Sequence, residues 1–468
     1  MDRYRPRYHF TAPRNWMNDP NGPFQLNGEY HLFYQHNPSK PEWGDIHWGH
    51  AASTDLVNWT HLPIGMAPSY ELGEAHCFSG CSVIHEGEVT LFYTSIGEGD
   101  RNAATGAQQW MARSTDLRTW HKPDINPVLS LNLHGDLEIR DWRDPYVWKA
   151  EDGWRMILGG IHEEKGCAFI YHSGDLENWS FKDIFYKGEE WIWECPHLFR
   201  FGDKAVLFYS PSGPVRYLSG TISGDKLIDV QKHGTVDHGG WEGYYASTGF
   251  VDENGRRIVH GWIPEGSRGE EFPENLDWAG ALALPRVVDL KASGALSMIP
   301  VPEVESLRGE NYSFKDLKVG QTPVRTGVQS RSFECLLEID RKSIDATALT
   351  ISVFASACGK EHTDVRLDLA SNTITIDRSN SSLLPKVHKT PVQGDLPSAD
   401  GADPIKLRVF ADQSIIEVFA DDETCLTARA YPTLEDSTGI QLRTDSGEGI
   451  AASLQIWEMK AAEIKFES

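Results

Sequence analysis

One short apolar run recurs five times in the first 300 residues. It reads Leu32-Phe33-Tyr34, Leu91-Phe92-Tyr93, Met156-Ile157-Leu158, Leu207-Phe208-Tyr209 and Ile258-Val259-His260, with middle residues spaced 59, 65, 51 and 51 apart. A turn rich in Gly, Asp, Asn or Glu precedes each run, and another apolar strand precedes each turn, so every unit reads as a hairpin. A second element marks the first three units: Ser53-Thr54-Asp55-Leu56-Val57-Asn58-Trp59, then Ser114 to Trp120, then Ser173 to Trp179. Ser and Asp bonding local backbone, with a Trp packing beneath, predicts a tight turn between outer strands. Units of this length with more than two strands exclude the shorter coils of a β-helix and predict an all-β chain opening with a five-bladed β-propeller over residues 1–300.

Beyond Pro285 the repeat stops. Alternating strands such as 335–339, 349–353, 365–369 and 405–410, separated by Asp, Asn, Ser and Gly turns, predict a C-terminal β-sandwich over 301–468. No acidic cluster with catalytic spacing stands out there, so its expected role is to stabilise the propeller.

Counting back 13 or 14 residues from each repeat centre reaches Asp19, Ser79, Asp144, Glu194 and Tyr245. If that position opens the innermost strand of each blade, the five side chains meet at one mouth of the central channel. Carboxylates gathered there repel one another, and a fold has no need of them, which points to function. Pro20, Pro145 and Pro196 follow the acids closely and are expected at strand entrances. Two carboxyl groups suffice for glycoside hydrolysis, one to protonate the leaving oxygen and one to attack or to activate water. Metal binding is the chemical competitor. It is disfavoured because no His shares the ring positions and no calcium-loop spacing occurs, so neither a metal nor a cofactor is implied.

A formal net charge of −24 disfavours nucleic acid and anionic membranes as partners. No run approaches the roughly 20 apolar residues of a membrane span. Seven Cys without zinc-type spacing read as buried free thiols in a reducing compartment. A cytoplasmic location is therefore expected, with a secreted mature form as the alternative, and a homo-oligomer stays open.

Trp16-Met17-Asn18-Asp19-Pro20-Asn21-Gly22, Arg143-Asp144-Pro145 and Trp193-Glu194-Cys195-Pro196 resemble the three signatures of glycoside hydrolase family 32, the invertases, inulinases, levanases and related fructosyltransferases. The resemblance extends through Trp278-Ala279-Gly280 to Ile416-Glu417-Val418-Phe419. It implies a propeller followed by a sandwich, and a retaining mechanism on terminal β-fructofuranosyl bonds. Asp19 would be the nucleophile and Glu194 the acid/base, with Asp144 and its neighbour Arg143 holding fructose hydroxyls. The negative charges of Asp19 and Asp144 are expected to favour the protonated form of Glu194, making it the acid. Asn18, Gln35, Trp43, Phe78 and Ser79 match substrate-contacting positions, and Trp278 an aromatic pocket wall. Tyr245 joins them on its ring position. His197, where relatives often carry Asp, is expected to tune the acid/base. The fructoside is the expected partner: sucrose, a fructo-oligosaccharide, inulin or levan. A fructosyltransferase is the alternative, and an inactive fructan-binding propeller a distant one. The loops 97–106 and 265–275 are expected to choose among substrates.

Overall fold

The hairpin turns at Asn27-Gly28, Glu86-Gly87 and Gly202-Asp203 do what their composition demands: Asn27, Gly28, Glu86, Gly87 and Gly202 all adopt positive φ. Each turn joins the first two strands of a sheet. In the computed structural model, which describes residues 2–103, 106–268, 276–340, 347–397, 404–446 and 450–467, the chain is almost entirely β-strand, with only short 3₁₀ turns among the described residues. Parts of the loops 97–106 and 265–275 lie outside the described residues.

Five sheets follow one another. The first runs Asn15–Leu26, Glu29–Asn37, His47–Ser53 and Trp59–Met66; the second begins at Glu74–His85, the third at Arg140–Ala150, the fourth at Glu194–Phe201 and the fifth at Tyr245–Val251. Every repeat centre falls on the second strand of its sheet. The five first strands touch in succession, and the fifth touches the first, so they close a ring. This arrangement is consistent with the expected propeller.

The repeated Ser-x-Asp element forms the expected turn. Ser53 Oγ accepts the Leu56 N–H at 2.9 Å, Asp55 Oδ1 accepts those of Val57 and Asn58, and Leu56 sits at φ 63°. Leu117 and Leu176 repeat that conformation, and Trp59 and Trp179 close it by donating Nε1–H to the Leu56 and Leu176 carbonyls.

From Arg308 onward two six-stranded sheets stack over an aliphatic core that includes Leu337, Ile351, Val365, Val409 and Leu454. The last strand, Ile464–Phe466, leaves them and pairs in parallel with Trp59–Met66 on the outer edge of the first sheet. Buried charge also joins the two halves. Arg286 of the fifth sheet donates to Asp237 at 2.8 Å and to Glu417 at 2.7 Å, and His9 bridges Glu417 and Asp412 at 2.9 Å each. Burial opposes charge on His9, but the hydrogen bonds to Asp412 and Glu417 prevail and hold its pKa above the ordinary value.

Arg286 is 1% exposed and its two carboxylate partners are fully enclosed. Arg286→Met therefore leaves two buried anions short of a countercharge and should destabilise the protein by about 3–5 kcal/mol. Urea denaturation checks this; an unchanged midpoint would show the network to be dispensable.

Candidate active site

Each first strand carries a β-bulge at the same place. Ladder pairing skips from Met17 to Pro20, Cys77 to Gly80, Arg143 to Tyr146, Glu194 to His197 and Tyr245 to Thr248, so two residues face one on the neighbouring strand. This register corrects the counted alignment. Arg143, Glu194 and Tyr245 precede the bulge, Asn18, Phe78, Asp144 and Cys195 are its first residue, and Asp19 and Ser79 its second. The five ring residues thus occupy three adjacent positions, not one. Asp144, Cys195 and Ala246, equivalent by this register, all adopt left-handed backbone at φ 65°, 48° and 53°. The prolines are corrected too: Pro145 and Pro196 complete bulges and Pro20 follows one, positions as free of ladder donation as a strand entrance.

The bulges open into a pocket of about 350 Å³. Asn18, Asp19, Gln35, Trp43, Phe78, Arg143, Asp144, Glu194 and Tyr245 line it, as expected from the sequence. Trp16, Arg101, Cys195, Trp241 and Trp262 join them unexpectedly. Trp16 and Cys195 were within reach because they belong to the signature motifs; nothing in the sequence separates Trp241 or Trp262 from core tryptophans.

Asp19 is held from three sides. Ser79 Oγ donates to Oδ2 at 2.5 Å, Asn18 Nδ2 to Oδ1 at 3.1 Å and Gln35 Nε2 to Oδ2 at 3.4 Å. Gln35 also donates to Ser79 at 2.6 Å and accepts from Asn18 at 2.8 Å, while Trp16 Nε1 fixes Asn18 at 2.7 Å. Burial pushes the Asp19 carboxyl up, and the Ser79 and Asn18 hydrogen bonds oppose that push. Ser79, expected to contact substrate, does not line the pocket but a smaller adjoining cavity, and its hydroxyl orients the Asp19 carboxylate instead.

Glu194 has the expected aspartates near it and two hydrogen-bond donors besides. Arg143 Nη2 donates to its Oε1 and the Tyr245 hydroxyl to its Oε2, both at 2.5 Å. The Tyr245 oxygen accepts the Ser212 N–H at 2.8 Å, and its ring stacks on Trp241 at 4.3 Å. At Asp144 burial, with Asp19 and Glu194 nearby, pushes the carboxyl up to about 7 against Arg143 and the Cys195 N–H. Cys195 Sγ stands 3.7 Å from Asp19 and 3.6 Å from Asp144, and burial keeps it a neutral thiol between two carboxyls.

Two further expectations are corrected. Trp278 is 1% exposed and does not line the pocket. Its backbone pairs with Asn15, but its ring packs with Tyr4 and Tyr431 under the Arg268 guanidinium, and its Nε1–H goes to Asp2. His197 is likewise off the pocket, enclosed by Tyr146 and Phe199 at 4.2 and 4.4 Å between centroids, where burial lowers its pKa to about 3. It is a neutral ring in an aromatic core.

Residues 9–300 match the N-terminal domain of glycosyl hydrolases family 32, and residues 303–458 match its C-terminal domain. Sucrose-6-phosphate hydrolase of Escherichia coli is 31% identical, over 97% of this chain and 95% of that protein. A cell wall β-fructofuranosidase of Pisum sativum is 32% identical, over 92% and 89%. Among solved structures, fructan 1-exohydrolase IIa of Cichorium intybus superposes with a TM-score of 0.89 at 26% identity, covering 100% of this chain and 99% of that one. The chain belongs to glycosyl hydrolase family 32 and is a glycoside hydrolase of the β-fructofuranosidase type.

The Asp144 shift has a consequence for stability. A carboxyl raised from 3.8 to about 7 binds its proton more tightly in the folded state, so its contribution is complete below pH 3.8 and is lost as pH rises through about 7. Asp144→Asn should therefore raise the thermal midpoint relative to wild type at pH 8 and much less at pH 4, while abolishing activity. Equal shifts at both pH values would refute the assignment.

Proposed function

We propose that the protein is a retaining β-fructofuranosidase whose five N-terminal sheets are the blades of a propeller spanning residues 1–300, backed by a sandwich over 301–468. The observation that carries the reading is the contrast between two carboxyls in one pocket. Asp19 is aimed by Ser79, Asn18 and Gln35, whereas Glu194 is held by Arg143 and Tyr245 from the other side. Asp19 Oδ attacks the anomeric carbon of the terminal fructosyl unit. The glycosidic bond breaks, its electron pair goes to the leaving oxygen, and Glu194 supplies the proton. Water then attacks the same carbon, Glu194 takes its proton, and the Asp19 ester is released.

Asp144, with its pKa near 7, is suited to hold sugar hydroxyls as donor or acceptor. Arg143 and Tyr245 keep Glu194 in place between the two half-reactions. Trp43, Phe78 and Trp241 offer aromatic faces to the sugar. The relatives' names support sucrose, phosphorylated sucrose or fructan as the class of substrate. The seven unpaired thiols, of which Cys358 is exposed, support a reducing, cytoplasmic setting.

Proton NMR of early products should show the β-anomer of fructose first, and mass spectrometry of quenched enzyme should show a fructosyl adduct on Asp19. Asp19→Ala should lower kcat by a factor on the order of 10⁴ or more. Glu194→Ala should lower it by about 10²–10⁴, with most of the adduct-forming step regained on a fructoside whose leaving group needs no proton. Release of inverted product would sink the retaining assignment.

A further inference from the structure

A second, larger cleft opens beside the catalytic pocket. It encloses about 650 Å³, and its walls include Asp45, Tyr70, Leu72, His76, Glu98 and Gln108. The divider is two aromatic rings thick. Trp43 lines the pocket, His76 lines the cleft, and their rings stand 5.2 Å apart, with Phe78 behind both at 6.2 and 6.0 Å. The loop that follows the second strand of the second sheet also serves both: Gly97 and Glu98 border the cleft, and Arg101 reaches the pocket over the Phe78 ring at 5.3 Å.

The chemistry of the cleft selects a neutral, hydroxyl-rich ligand. Its walls expose large apolar surface, 58% of Tyr70 and 66% of Leu72. The amphipathic Tyr70 ring suits the C–H faces of sugars. The Tyr70 hydroxyl is fixed on Asp45, so the ring stands ready. Asp45 and Glu98 supply acceptors for sugar hydroxyls. The deep carboxylate, Glu74, is already neutralised by Lys122 at 2.5 Å and bonded by Tyr93 at 2.8 Å, so the floor makes no demand for a cation. The carboxylates at the walls repel an anionic ligand.

We propose that this cleft binds the third and later units of an oligosaccharide whose terminal unit fills the catalytic pocket, which makes the enzyme selective for chains over disaccharides. The proposal rests on the fructosidase reading given above. A substrate long enough to cross the Trp43–His76 ridge gains the Tyr70 platform; sucrose ends before reaching it.

The test compares kcat/KM for sucrose with that for a trisaccharide and a tetrasaccharide extended by β-fructosyl units. Wild type should gain about tenfold or more along the series, the scale of one well-placed aromatic contact. Tyr70→Ala, which removes the platform, and Ala75→Trp, which fills the cleft, should each abolish that gain and leave sucrose turnover unchanged. Calorimetric titration of Glu194→Ala with sucrose and the tetrasaccharide reads the same contrast in affinity without turnover. A flat chain-length profile in wild type, or variants that lower sucrose and the longer substrates equally with an unaltered thermal midpoint, would overturn the cleft. Inactivity on every substrate without tetrasaccharide binding would instead overturn the fructosidase reading, and with it this one.

Discussion

The bulge repeated in the first strand of every sheet is the constraint on which the site depends. In a regular strand alternate residues point to opposite faces, so each strand could offer the channel mouth only every second side chain. The extra residue breaks that alternation. Arg143 and Asp144, adjacent in sequence, both line the pocket, as do Asn18 and Asp19, and Glu194 and Cys195. Five strands without bulges could not crowd this many polar groups around one sugar. Three of the bulges hold a non-glycine residue in left-handed backbone, which costs on the order of 1–2 kcal/mol each. The closed ring of first strands keeps that conformation in place.

Charge inside the pocket follows from the same geometry. Three carboxyls share the pocket, and the consequences differ because the partners differ. Asp19 receives neutral donors that orient it without cancelling its charge. Glu194 receives the guanidinium and a phenol. Asp144 sits deepest, 5% exposed, with its backbone N–H on Thr94 and one oxygen on the Cys195 N–H. It is the group for which burial outweighs attraction to Arg143. The carboxyls of the pocket therefore differ in their supports, and the neutral Cys195 thiol stands between two of them, Asp19 and Asp144.

How much of this was legible in the sequence depends on what carried the signal. Periodicity carried the architecture well, because hairpin turns and apolar second strands recur in each sheet regardless of what the first strand does. The phase of the ring residues was misread for a physical reason: the bulge is common to all five first strands, but the counted centres are not equivalent, since Phe33 pairs with Asn21, one residue past its bulge, and Phe208 with His197, directly after it, and the first strand carries a second register shift between Asn21 and Phe24. Glu194 and Tyr245 lie 14 before their repeat centres, and so does Asp19, yet the register places them two positions apart. Trp278 shows a different limit. Its backbone lies where expected, against Asn15, but direction is a side-chain property, and the Arg268 and Arg429 guanidiniums and the Asp2 carboxylate draw its ring away from the pocket. His197 shows a third: proximity in sequence to Glu194 says nothing once the bulge has turned the next residues into the aromatic core.

The second half of the chain gains meaning from the charges it lends the first. Glu417 and Asp412 are enclosed among β-strands of the sandwich, yet their partners, Arg286 and His9, come from the fifth sheet and from the segment that precedes the first. A hydrophobic contact of the same size would hold as well and would tolerate sliding. Buried ions do not tolerate it, since a displaced partner leaves a charge without solvent or countercharge. The network therefore fixes one orientation between the sheets that close the ring and the body behind them. The last strand, Ile464–Phe466, adds a second tie on the opposite side of the first sheet. With the ring closed between these two attachments, the first and fifth sheets cannot drift apart, and that seam is where Trp16 and Trp262 meet at 5.8 Å in the wall of the pocket. The buried charges and the last strand thus brace the two sheets whose meeting completes the ring, a seam that the pairing of Asn15 and Trp16 with Trp278 and Ala279 also ties.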